Sequence, residues 1–70
     1  MIYEYFIFCE SGYDTSQQIK ALLAKHKLPT ELRLVNNTNW SYQSPNAVKD
    51  KLISKIEDII GVISMNIVTT

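Results

Sequence analysis

Apolar side chains recur along the chain with two different spacings, and the switches between them mark six elements. Residues 2–9, Ile-Tyr-Glu-Tyr-Phe-Ile-Phe-Cys, contain neither Gly nor Pro and are rich in aromatic and β-branched types, which predicts a strand. Its two faces are Ile2, Glu4, Phe6, Phe8 and Tyr3, Tyr5, Ile7, Cys9, both largely apolar. A strand apolar on both sides is typically central in its sheet and covered on both faces. A turn over residues 10–13, with Gly12, leads to a helix that starts at Asp14 or Thr15. Asp14 with Gln17, or Thr15 with Gln18, fits a capping box there. Ile19, Leu22, Leu23 and His26 form its apolar stripe, and Lys25 and Lys27 suit the negative end of the helix dipole. Pro29 is expected to stop it.

Residues 31–35 predict a second strand with Leu32 and Leu34 on one face and Glu31, Arg33 and Val35 on the other. One clean apolar face and one mixed face suit an edge strand. The following stretch decides the fold. Asn36-Asn37-Thr38-Asn39 is turn chemistry, because Asn tolerates left-handed backbone. Trp40, Ser41, Tyr42 and Gln43 then alternate aromatic and polar, the spacing of a strand built from good strand formers. A hairpin pairing residues 32–36 with 39–43 needs only a short loop. Ser44-Pro45 reads as an N-cap and a first helical position. The helix stripe is Val48, Leu52, Ile56, Ile59 and Ile60, widened by Ile53, with Gly61 as the cap at its end. Residues 62–68 predict the last strand, with Ile63, Met65 and Ile67 on one face and Val62, Ser64, Asn66 and Val68 on the other.

The order is β-α-β-β-α-β, which predicts a ferredoxin-like α+β sandwich. Its four-stranded antiparallel sheet carries two helices on one face, with the first and third strands central. The competing architecture is a three-stranded β-α-β-α-β unit with one helix on each side. The choice between them rests on whether Trp40 and Tyr42 lie in a strand.

Composition narrows the functions. Seventy residues make one small domain, 1–70, whose core is marginal alone and gains from a second subunit. One cysteine, Cys9, excludes a disulfide within the chain, and one Cys with one His is a poor zinc set. Formal net charge is zero and the pI is about 6.5, unlike the basic balance of proteins that live on phosphate backbones. Nucleic acid remains an option through a local patch but is not favoured by charge. No apolar run is long enough to span a bilayer, and no basic leader precedes one, so a cytoplasmic, non-membrane protein is expected. Asn36-Asn37-Thr38 and Asn39-Trp40-Ser41 match the glycosylation pattern and are read as turn residues.

Three segments carry a family resemblance. They are Tyr5-Phe6-Ile7-Phe8-Cys9-Glu10-Ser11-Gly12, then Thr38-Asn39-Trp40-Ser41-Tyr42-Gln43-Ser44, and Ala47-Val48-Lys49-Asp50-Lys51-Leu52 running on to Ile63. With this element order the chain resembles the small ferredoxin-like endoribonuclease subunit of CRISPR adaptation systems and its short uncharacterised relatives. The resemblance implies a homodimer and an acidic residue at the end of the first strand that holds a metal ion across the dimer axis. Here that place falls to Cys9 or Glu10, not Asp, so only Glu10 could offer a hard cation an oxygen ligand.

The remaining chemistry is sparse. Cys9 as a nucleophile needs an activating base, yet His26 lies at the far end of a helix ~20 Å long. A buried strand cysteine and a helix-end histidine are the plainer readings. The turn at residues 11–16 opens a helix, but one Gly makes no phosphate loop, and Glu10 and Asp14 repel phosphate. Tyr3, Tyr5, Trp40 and Tyr42 fall on adjacent strands. If their faces coincide on the uncovered side, they form a platform for a protein interface or for stacked bases, with Arg33 nearby. If they face the helices, they are core. No catalytic residue, metal or cofactor is assigned. The expectation is a non-catalytic, homodimerising interaction module, such as an accessory or inhibitor protein of a mobile element. The alternative is a nucleic-acid-binding or metal-dependent nuclease-like subunit.

Overall fold

The computed structural model describes residues 2–12, 14–36 and 38–68. Within them lie β1 Tyr3–Cys9, α1 Ser16–Lys25, β2 Leu32–Val35, β3 Asn39–Ser44, α2 Asp50–Glu57 and β4 Val62–Val68. The strands form one antiparallel sheet in the order β2-β3-β1-β4. This is the ferredoxin-like β-α-β-β-α-β arrangement, with β1 and β3 central. It excludes the three-stranded alternative, because Trp40 and Tyr42 do lie in a strand, facing Leu34 and Leu32 of β2. Among the described residues no helix is long and apolar enough to cross a membrane.

The core lies between the helices and the odd-numbered face of β1. Tyr5, Ile7 and Cys9 meet Ile19 and Leu23 of α1, Leu52 and Ile56 of α2, Tyr42 and Met65. The even-numbered positions of β1 point to the other, open side of the sheet.

Several boundaries differ from the sequence reading. Ser44 does not cap a helix. It ends β3, fully buried, and its hydroxyl donates to the Asn46 carbonyl at 2.6 Å while accepting from the Asn46 N–H at 3.3 Å. Ser-Pro therefore builds a turn, and α2 begins only at Asp50, after an extended Lys49. Val48 is buried but lies ahead of the helix, and Ile60 of the expected stripe is exposed. At the start of α1 neither expected capping box forms. Thr15 makes no side-chain cap, and Asp14 Oδ1 instead accepts from the Ser16 N–H and hydroxyl, at 3.2 and 2.7 Å. Its end comes before Pro29, at Lys27 in the left-handed region (φ 58°). The Lys27 N–H reaches the Ala24 carbonyl and the Leu28 N–H the Leu23 carbonyl, both at 3.0 Å, the two bonds of a Schellman cap. The hairpin turn has Asn36 at φ 55°. Its Asn37, like Tyr13 of the turn after β1, lies outside the described residues.

In β4 one face assignment is corrected. The register slips between Phe8↔Ser64 and Cys9↔Val62, so an extra residue, Ile63, bulges from β4. The bulge turns Val62 towards the core and leaves Ile63 exposed. β4 is an edge strand, and at its centre the Met65 N–H donates to Glu57 Oε2 of α2 at 3.0 Å.

Candidate interface on the open sheet face

The pairing registers decide what each face presents. Tyr3, Tyr5 and Ile7 of β1 stand opposite Ser44, Tyr42 and Trp40 of β3. The four aromatic residues singled out in the sequence therefore do share a face, and it is the face under the helices. Tyr5 (2 % exposed) and Tyr42 (0 %) are core, with ring centres 6.4 Å apart, while Tyr3 and Trp40 are half-buried against them. Of the two placements left open for them, a platform on the uncovered side or core under the helices, the structure has the second.

Their polar atoms have structural partners. The Tyr5 hydroxyl accepts from the buried Val48 N–H at 2.8 Å, and the Tyr42 hydroxyl donates to the Pro29 carbonyl at 2.7 Å. Each tyrosine thus ties the sheet to a helix–strand connection, Tyr5 to the one ahead of α2 and Tyr42 to the one after α1. Burial raises the Tyr42 pKa above its ordinary value, with the Ser44 hydroxyl offsetting part of the shift. Trp40 Nε1 donates to Thr15 Oγ1 at 3.4 Å, and Cys9 Sγ lies 3.4 Å from the same hydroxyl. Cys9 is buried, whereas His26 is exposed beyond the last turn of α1. Asp14 is held below the usual carboxylate range by its two bonds from Ser16.

The open face carries a different set. Phe6 and Phe8 stand on central β1, with ring centres 4.6 Å apart and tilted, and Phe8 is 41 % exposed. Glu4 lies beside them and accepts from Gln43 Nε2 at 3.1 Å. Ser41 and Gln43 of β3 and Ser64 and Asn66 of β4 flank the pair across the sheet. Arg33, opposite Ser41 on the β2 edge, is the one predicted site residue on this side.

No family model, curated protein or solved structure matches this chain.

What the face can do follows from its own chemistry. An aromatic pair ringed by small polar groups suits contact with a flat, partly apolar surface. Glu10, the candidate oxygen ligand, is exposed just past β1, with its N–H bonded to the Gly61 carbonyl at 2.7 Å. Among the described residues no three His, Cys, Asp or Glu side chains come together to hold a metal ion. Phe6 and Phe8 escaped the sequence reading because both faces of β1 looked apolar. The signal that could have found them is Glu4, the one charge in the strand, which shares their face.

Proposed function

We propose that this chain is a non-catalytic interaction module that pairs with a second copy through the open face of its sheet, around Phe6 and Phe8. The observation that carries this reading is the tilted pair of phenyl rings, in contact on the solvent side of a central strand. A central strand puts such a patch in the middle of the face, where a two-fold axis would bring each pair against its own image. The polar side chains around it supply the rim that such interfaces have. The test is sedimentation of the wild-type chain and of Phe8→Ser. The wild type is expected as a pair at micromolar concentration and the variant as a single chain. A wild type that stays a monomer at that concentration sinks the reading.

A second reading rests on the same two rings. Single-stranded nucleic acid stacks on aromatic side chains of open sheets, and Arg33 lies on this face. Glu4 offsets that charge, so the protein pair ranks first. Salt-sensitive binding of single-stranded RNA, lost in Phe8→Ser, would reverse the ranking.

A further inference from the structure

The sheet has two edges, β2 with four residues and β4 with seven. In an antiparallel ladder the N–H and C=O of one residue point to the same side of the strand, and successive residues alternate. The Met65 N–H reaches Glu57 Oε2 and not β1, so Met65 turns its backbone groups away from the sheet. Ile67, two residues on, turns the same way, while Ser64, Asn66 and Val68 stand opposite Phe8, Phe6 and Glu4 of β1. The margin is also apolar. Of the large apolar side chains described as exposed, Ile63 and Ile67 lie on β4 and Ile60 in the turn before it.

The order of residues in β4 selects what would cover this margin. Read outwards from Met65, the strand Val62-Ile63-Ser64-Met65-Asn66-Ile67-Val68 is close to its own mirror image. A second β4 laid antiparallel against it, with Met65 opposite Met65, sets Ser64 opposite Asn66, Ile63 opposite Ile67 and Val62 opposite Val68. Polar meets polar and apolar meets apolar on both sides of the two-fold axis. That is the self-complementarity a symmetric contact needs, and a strand of unrelated sequence does not supply it. No charged residue and no proline in β4 opposes the pairing.

In this register the two Met65 residues exchange both of their backbone bonds. The Met65 N–H is the group that Glu57 holds at 3.0 Å, so Glu57 and the second copy compete for one amide. We propose that β4 pairs antiparallel with β4 of a second copy across a two-fold axis at Met65, joining two four-stranded sheets into one, and that Glu57 of α2 is the contact that restrains this pairing. The bulge at Ile63 keeps the ladder short, centred on residues 64–66. The contact therefore depends on the isoleucines beside the ladder, each Ile67 against the Ile63 of the other copy. This surface lies on the sheet margin and is separate from the open-face contact around Phe8 on β1.

The test uses Phe8→Ser as background, which removes the open-face contact, and follows mass by sedimentation in chains whose circular dichroism is unchanged. Glu57→Ala frees the Met65 amide and should tighten pairing about ten-fold or more. Glu57→Gln keeps an acceptor, but an uncharged and weaker one, and should fall between Glu57→Ala and the parent. Ile67→Lys added to Glu57→Ala should return it to single chains. The register is read by mixing Ser64→Cys and Asn66→Cys chains, both carrying Glu57→Ala. Positions 64 and 66 face each other across the axis, so the mixture should form its disulfide faster than either chain alone. A Glu57→Ala chain that stays single at millimolar concentration overturns the pairing, and so does a mass that climbs past that of a pair. Equal pairing with and without the Glu57 carboxylate overturns the restraint. A mixture no faster than its components overturns the axis at Met65. Capture of a foreign extended peptide while copies stay apart overturns the second copy as occupant.

Discussion

The two faces of β1 use aromatic residues in opposite ways. Tyr3 and Tyr5, the more polar rings, go under the helices, while Phe6 and Phe8 face outwards. Hydropathy alone would arrange them the other way round. The reason lies in the connections. A connection that dips into the core brings buried polar groups that need partners, as the one through Val48 does. A tyrosine fills the core with its ring and reaches that segment with its hydroxyl. Tyr5 does so for Val48 and Tyr42 for Pro29. A phenylalanine at position 5 could fill the same space but would leave the buried Val48 amide unpaired. On the open face there is no segment to tie down, and Phe6 and Phe8 pack against each other without a polar partner to reach.

Four measurements would sharpen or break this contrast. The largest effect is expected from Ile7→Ala, at a fully buried position between the helices and the sheet. Truncating such a side chain costs about 2–5 kcal/mol, read from urea denaturation. Tyr5→Phe comes next. It keeps the ring but strips the acceptor from a buried N–H, at a cost of about 1–3 kcal/mol. A loss near zero in Tyr5→Phe would break the idea that the hydroxyl, and not only the ring, selects tyrosine.

Alkaline titration gives a smaller effect. Tyr42 has its pKa raised by burial, so the unfolded chain loses this proton at lower pH than the folded chain. The stability it lends is full below the ordinary tyrosine value near 10 and is lost as pH rises through the raised folded value. Tyr42→Phe should flatten that alkaline decline in thermal melts. The smallest effect belongs to Phe8→Ser on the open face. At protein concentrations low enough to hold single chains, it should cost about 1 kcal/mol of folding stability, from the lost contact with Phe6. A loss comparable to that of Ile7→Ala would mean that the open-face ring is core after all.

Element order was legible because each period survives in the sequence. Alternation in residues 40–43 is enough to place β3, and the stripe through Leu52 and Ile56 is enough to place α2. Boundaries were less legible because one local signal serves two structures. Ser44-Pro45 fits a helix start and a turn equally well, and only its pairing with Tyr3 makes Ser44 a strand end. Pro29 was a visible stop, but the helix ends earlier at Lys27, whose left-handed backbone is usually given to Gly. The bulge at Ile63 belongs to the pairing of two strands and leaves no mark in either one alone. For the candidate site, the sequence brought the tyrosines and Trp40 onto adjacent strands but left open whether they face outwards beside Arg33 or form core. It lacked a rule for which face the helices would choose, although Glu4 pointed to it.

The bond from Met65 to Glu57 has a consequence for how this chain meets itself in bulk. β4 closes one side of the sheet with seven residues, none charged and none proline. Such a margin is a template on which another chain can lay a strand and seed a fibril. Glu57 takes the amide at the middle of that template, so an incoming strand finds one rung already filled and a carboxylate where its own carbonyl would enter. The helix that packs the core thereby also shields the fold from cross-β growth along its longest bare edge.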